Sequence, residues 1–276
     1  MTLRFAYNTN GASNHRLHDA VAMTADAGYD GVALTLDHHH LDPMAEDWSQ
    51  QAEALSLQLA LRNLGSVIET GARYLLTPTA KHEPTLVTAD PEGRARRVAF
   101  LKRAVDVAAL LGSEAVSFWA GVPKPGVDRN AAWTWLHEGV ADVLEYAATK
   151  EVTCAFEPEP GMLVGTVDDW SRLRDGLPPL TLALDLGHLL VTEERDPVTA
   201  LHEFAGNLGT VAIEDMKRGE HIHLPFGEGD MDIPACLDAL EAIGFDRLVC
   251  VELSRESHRA DTMIPESLRW LRSCRG

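Results

Sequence analysis

Three acidic residues stand directly after apolar runs of the kind expected for strands buried on both faces. A charge in that position is costly unless something pairs with it, and several carboxylates at one point cannot all ionise without a cation. Because carboxylate oxygens suit hard divalent ions, the pattern predicts that the three acids meet around one metal ion. For any one acid alone, a salt bridge or a helix cap is the alternative. The acids are Glu157 after 152–156, Asp185 after 180–184 and Glu252 after 248–251.

Three further residues stand close to these predicted strand ends. His188 follows Asp185 by three residues, so an imidazole accompanies one of the acids. Glu69 and Trp119 end two other predicted strands. For these two residues, packing at the rim of the sheet is at least as good an interpretation as a functional role.

The elements that must position these residues alternate regularly along the chain. Each of eight predicted strands is followed by a helical pattern, which favours a parallel sheet closed into a single-domain (β/α)8 TIM barrel over residues 1–276. The alternative is a doubly wound open sheet, but residues 8–11 lack the glycine-rich fingerprint that such a sheet needs after its first strand. The predicted strands are 3–7, 31–36, 66–68, 115–119, 152–156, 180–184, 210–213 and 248–251.

Composition excludes several classes of partner. The 276 residues are 45% hydrophobic, enough for a substantial core, and their net charge of −18 disfavours nucleic acid and anionic membranes as partners. The four cysteines are scattered, as in a reduced protein. The first residues lack the basic start and apolar core of a signal peptide, and no apolar run approaches the ~20 residues of a membrane span. We expect a soluble cytoplasmic protein.

Together these residues resemble the xylose isomerase-like TIM barrels of the sugar phosphate isomerase/epimerase family. The resemblance covers the whole chain and is most specific in its second half: a Glu ends the fifth strand, Asp-x-x-His stands at the sixth, Gly-Glu-Gly-Asp follows the seventh, and a Glu ends the eighth. It implies one divalent metal ion (Mn, Mg, Co or Zn) held by Glu157, Asp185 and Glu252. It also implies that His188 lies beside the ion and that Arg218 binds substrate.

One position departs from that family pattern. The resemblance places a fourth metal ligand, a histidine, where this chain has Ala212. Either a nearby residue replaces it, with Glu214, His221 and His223 as candidates, or the chain is an impaired variant. His223 is also a candidate for substrate binding. Glu214 has the strand parity to point inward together with Ala212.

The resemblance implies an isomerase or epimerase that acts on a ketose or a related polyol ketone. Glu157 and Glu252 would remove and return a proton through an enediolate, with Trp119 as an apolar wall. Lys81 and His82, in the long loop 70–91, would close over the substrate unless they are simply exposed loop residues.

The alternatives are an inosose-type dehydratase or lyase, a metal-dependent hydrolase of the endonuclease IV kind, and a non-catalytic barrel. The net charge argues against the hydrolase, because a nuclease of that kind would need a basic face. The expected partner is a small sugar or polyol, and a homo-oligomer stays open because relatives often pair.

Overall fold

Eight parallel strands close into a barrel in the computed structural model, which describes residues 2–274. The prediction of a single-domain (β/α)8 barrel is therefore confirmed, while the extension of that domain over all of 1–276 stays a prediction. The barrel strands are β1 Arg4–Asn8, β2 Gly31–Thr35, β3 Gly65–Glu69, β4 Val116–Phe118, β5 Cys154–Phe156, β6 Thr181–Asp185, β7 Leu208–Ile213 and β10 Leu248–Val251. Their order around the barrel is β1, β10, β7, β6, β5, β4, β3 and β2.

Helices follow the strands and cover the outside of the barrel. Most begin at an Asp or Thr whose side chain accepts a hydrogen bond from the first turn, as Asp90, Asp128 and Thr166 do. The α-helices are α1 Leu17–Ala27, α2 Trp48–Arg62, α3 Pro91–Leu111, α4 Arg129–Ala148, α5 Val167–Asp175, α6 Leu186–Thr192, α7 Pro197–Phe204, α8 Ile233–Ala242 and α9 Ala260–Ser273. Within the described residues, no helix is both long and apolar enough to cross a bilayer.

Two elements of the structure were not predicted from the sequence. Helix α6 begins directly after strand β6, because Asp185 both ends the strand and caps the helix. Strands β8 Asp215–Lys217 and β9 Glu220–Leu224 form an antiparallel hairpin outside the barrel, between β7 and α8. Both elements lie at the carboxyl ends of barrel strands, where active sites of this fold are built.

Hydrophobic side chains form two layers. The larger layer fills the space between the sheet and the helices and contains most of the aromatic and branched side chains. The smaller layer lies inside the barrel and consists mainly of small side chains: Ala6, Ala33, Val67, Ala115, Ala155, Ala183, Leu248 and Cys250. The polar groups gather above this layer, at the carboxyl ends of the strands.

Candidate active site

A cavity opens at the carboxyl end of the barrel and brings together most of the predicted site residues. Glu157, Glu252, His188, Trp119, Lys81, His82 and His223 all line it. A smaller space beneath, also lined by Glu157 and Glu252, contains Asp185 and Ala212. The other residues that line the main cavity are Asn8, Asn10, Thr35, Glu69, Gly71, Arg73, Glu159, Met162 and Ser254.

Two of the three predicted acids, Glu157 and Glu252, converge on the third, Asp185. One oxygen of Asp185 lies within 4.8 Å of ligand atoms of both Glu157 and His188, and a second set of the same kind joins Asp185, His223 and Glu252. The three acids stand at the ends of β5, β6 and β10. These ends lie close together because β5 and β6 are neighbours in the barrel and only β7 separates β6 from β10. Glu157 also donates its backbone N–H to Phe118 O at 2.9 Å, which extends the strand ladder to the acid itself.

The charges of this cluster are strongly perturbed. Burial, followed by the carboxylates of Glu159 and Glu69, raises the pKa of Glu157 well above its ordinary value. Burial and the carboxylate of Glu252 raise the pKa of Glu69 to about 8. At Asp185, burial acts in the same direction, but the imidazoles of His188 and His223 outweigh it and lower the pKa. Adjacent acids thus resist ionisation unless a positive charge stands among them.

The residues present fit a divalent cation. Asp185 has a fully buried side chain, and its Oδ2 has no hydrogen-bond partner among the described residues. His188 Nε2 lies 3.5 Å from this oxygen, and a buried carboxylate oxygen without a hydrogen bond is rare in proteins unless a ligand or ion satisfies it. Oxygen and imidazole donors are the set that Mn²⁺, Co²⁺ and Zn²⁺ accept.

His188 is positioned by the helix that begins at Asp185. Asp185 Oδ1 accepts the backbone N–H of His188 at 3.0 Å, so the acid and the imidazole are fixed to each other by the helix cap. The ring contacts Pro158 O through Nδ1 at 3.2 Å and His221 Nε2 through Nε2 at 3.1 Å. Both ring nitrogens of His188 therefore already have protein partners.

A match to the family model described as "Xylose isomerase-like TIM barrel" extends over residues 21–274. The chain belongs to the xylose isomerase-like TIM barrel family. L-ribulose-5-phosphate 3-epimerase UlaE of Shigella flexneri serotype 5b (strain 8401) is 24% identical over 242 residues, which is 87% of this chain and 82% of that protein.

Solved structures of the same fold cover almost the whole chain. The 3-keto-D-glucoside 4-epimerase YcjR from E. coli superposes with a TM-score of 0.80 at 16% identity, over 99% of this chain and 100% of that chain. The IOLI protein, solved with a bound zinc atom, gives a TM-score of 0.75 at 16% identity, over 99% and 96% of the two chains. At these identities the likeness shows the fold alone.

Ala212, where the resemblance places a fourth ligand, lies on the inner surface of the barrel. Ala212 pairs in register with Asp185 on one side and Cys250 on the other, and it lines the small space beneath the cavity. Its methyl group therefore faces the acids but offers them no ligand atom. Glu214, the first residue after β7, is fully buried and lines neither space, and its carboxyl group is one of the groups that lower the pKa of Asp185. Its role as a replacement ligand stays a prediction.

The hairpin after β7 brings two imidazoles over the cavity instead. His221 and His223 are two residues apart on β9, so they share one face of the strand. One ring nitrogen of each lies within 4.8 Å of the other and of one ring nitrogen of His188. The backbone N–H groups of Gly227 and Met231 donate to Asp215 at 2.9 and 3.1 Å, so the Gly-Glu-Gly-Asp loop holds the hairpin in place.

Trp119 forms the opposite wall with groups from the long third loop. It is 7% exposed and contacts the ring of His82 edge-on, with 5.3 Å between ring centroids. The guanidinium of Arg97, which is fully buried, lies 4.4 Å from the Trp119 ring centroid on the core side. The exposed Lys81 lines the mouth. The indole is thereby held as a fixed apolar surface within a polar cavity.

Arg218 is the predicted site residue that the structure does not bring to the cavity. It lies in the turn between β8 and β9 with an exposed side chain, and its backbone N–H donates to Asp230 Oδ2 at 3.1 Å. Its role in substrate binding stays a prediction.

The polar cavity residues that sequence reasoning missed include Asn10 and Glu159. Asn10 donates from Nδ2 to Glu252 Oε1 at 2.8 Å and so fixes one of the predicted acids. Glu159 lies 3.8 Å from His188 Nε2 and 3.7 Å from His221 Nε2. The signals that could have found them are the polar Asn-Thr-Asn after the first strand and the Glu-Pro-Glu that repeats the acid after the fifth.

Proposed function

We propose that this chain is a divalent-metal-dependent isomerase or epimerase of a ketose or related polyol ketone. Proton removal and return through an enediolate of the substrate is the chemistry that fits the site best. The observation that carries the proposal is that Glu157 and Glu252 line the same cavity and approach Asp185 in two separate sets of ligand atoms. The names of the relatives, which are epimerases of sugar phosphates and keto sugars, point to the same reaction class.

The cation would be held by Glu157, Asp185 and Glu252. When bound, it supplies a positive charge that makes the C–H next to a substrate carbonyl acidic. The protein supplies the proton transfer. Asn10 holds Oε1 of Glu252 in one orientation, and Glu157 reaches the same cavity from β5. Two carboxylates that reach one cavity from separate strands suit removal of the proton by one and its return by the other.

The remaining cavity residues orient the substrate. His188, fixed by its contacts with Pro158 and the Asp185 cap, presents its ring to the cavity. Trp119 offers an apolar face to the carbon skeleton, and Lys81 and His82 stand at the loop side of the cavity. The cytoplasm as the location, and the absence of nucleic acid and membrane partners, stay predictions from the charge of the chain.

Solvent deuterium incorporation tests the reaction class directly. The protein would be incubated in D2O with Mn²⁺ and a panel of ketoses, keto-glycosides and inososes. We expect deuterium at the carbon next to the carbonyl of at least one compound, detected by NMR, together with the epimer or isomer.

Glu157→Gln and Glu252→Gln should each lower turnover by at least about 1,000-fold while the fold is retained, since amides cannot transfer the proton. Glu145→Gln, an exposed glutamate on α4, is the matched control and should keep the wild-type rate. Near-wild-type turnover in both active-site variants would contradict the proposed roles. Release of water without epimer formation would indicate the dehydratase alternative.

A further inference from the structure

We infer that His223, on the hairpin outside the barrel, supplies the nitrogen ligand of the cation in place of a side chain at position 212. The inference rests on the proposed metal-dependent function and adds the residue that completes the ion's ligands. Its first support is distance: ligand atoms of Asp185, His223 and Glu252 all lie within 4.8 Å of one another. Two of these three residues are acids that we assign to the ion on independent grounds.

The second support is that β7 contributes no metal-ligating side chain, although it lies between two strands that do. β7 lies between β6 and β10, the strands that end at Asp185 and Glu252. A donor is therefore expected from the β7 side, but Ala212 presents only a methyl group there. The chain continues directly from β7 into the hairpin, so His223 on the hairpin can supply the donor that β7 lacks.

Glu214 lies behind the imidazole rather than at the ion. Its side chain is fully buried, and it lines neither the main cavity nor the space beneath it. A Cβ atom at position 187 would collide with Glu214 Oε1, so Gly187 is what makes room for this carboxyl group. His223 Nδ1 lies 3.8 Å from Glu214 Oε1 as a charge contact, and neither atom has a hydrogen-bond partner among the described residues. With Nδ1 on the side of this carboxyl group, we assign Nε2 to the ion. A carboxyl group behind a ligating imidazole fixes the ring in metal sites generally.

The other two imidazoles are less suited to be this ligand. Both ring nitrogens of His188 already contact protein atoms, Pro158 O and His221 Nε2. His221 shares a set of ligand atoms with the two other imidazoles but with none of the three acids, and the carboxyl group nearest its Nε2 is that of Glu159 at 3.7 Å. His223 is the hairpin histidine that lines the cavity and meets two of the acids.

The test measures metal binding rather than turnover. Metal-stripped full-length protein is titrated with Mn²⁺ by EPR, which gives the affinity, and electron spin-echo modulation then detects ¹⁴N bonded to the ion. We expect wild-type protein to bind one Mn²⁺ and to show the nitrogen signal. Since losing a group behind a ligand costs about 10–100-fold in affinity, His223→Ala should lose at least about 100-fold and most of the nitrogen signal.

A second-site change separates a lost ligand from a damaged fold. Ala212→His, introduced into His223→Ala, should recover at least about tenfold of the affinity and restore the nitrogen signal, because position 212 faces the same acids. Glu220→Gln, an exposed glutamate on the same strand, is the matched control and should bind Mn²⁺ within about threefold of wild type. Circular dichroism melts confirm that each variant is folded.

Each outcome decides between the two proposals. If wild type binds Mn²⁺ and His223→Ala binds it equally well with the nitrogen signal intact, the inference is wrong while the metal-dependent function stands. The same holds if the signal disappears in His188→Ala or His221→Ala but persists in His223→Ala. If wild type binds no Mn²⁺, Co²⁺ or Zn²⁺, the metal-dependent function and the inference fall together.

Discussion

His40 should make the protein lose stability in mild acid. The ring follows β2, is 8% exposed, and lies 3.2 Å from Thr9 Oγ1 and 3.3 Å from His15 O. Burial, reinforced by the neighbouring imidazole of His39, lowers its pKa from 6.5 to about 4. The native state therefore keeps the ring neutral at pH values where the unfolded chain already binds a proton.

The sign and size follow from linkage. Stability from the neutral ring is fully present above pH 6.5 and is lost as the pH falls from 6.5 to about 4, because the unfolded state takes up the proton first. Each pKa unit corresponds to about 1.4 kcal/mol, so the whole loss is roughly 3 kcal/mol, of which roughly 2 kcal/mol falls between pH 7 and pH 5.

Urea unfolding at pH 7 and pH 5 measures this contribution. His40→Gln keeps a polar side chain but does not titrate, so its free energy of unfolding should fall by about 2 kcal/mol less than that of wild type between the two pH values. His202→Gln, at an exposed histidine on α7, should follow wild type. If His40→Gln loses as much stability as wild type, the neutral buried ring is not what makes the protein sensitive to acid.

Three further predictions concern the residues that hold the site. Asn10→Ala should lower kcat about tenfold with little change in KM, because Glu252 loses the hydrogen bond that orients it; steady-state kinetics decide this. Gly187→Ala should cost about 1–3 kcal/mol in urea unfolding, whereas Gly206→Ala, with no atom within 4 Å of the added methyl, should cost less than about 1 kcal/mol. Asp215→Asn should weaken Mn²⁺ binding about tenfold by loosening the hairpin, and titration of the folded variant checks this.

The barrel was predictable because its strands are continuous apolar runs with acids at their ends. Strands buried on both faces need such runs, and a parallel arrangement sends all their carboxyl ends to one side. The same reasoning predicts that Glu157, Asp185 and Glu252 meet, and all three line the small space beneath the cavity. It worked because the position of each acid depends on the strand before it and not on loop conformation.

The hairpin was not predictable by the same reasoning. Its strands have three and five residues, and their pairing depends on Asp215 accepting hydrogen bonds from the later loop. The spacing of His221 and His223 did contain a signal, since alternate residues of a strand share a face. Helix α6 was missed because a single residue, Asp185, ends the strand and caps the helix, so no loop marks the boundary.

With His223 as the proposed nitrogen ligand, a barrel of this family would lack the strand histidine and still complete its metal site. Residue 212 is fixed by the ladder to Asp185 and Cys250, so no backbone shift can bring another side chain to its place. A new donor must come from above the barrel, where the chain is free of the ladder. The Asp215 hydrogen bonds give the hairpin the rigidity that the ladder gives a strand. Loss of those bonds should therefore weaken the site even though every ligand is still present.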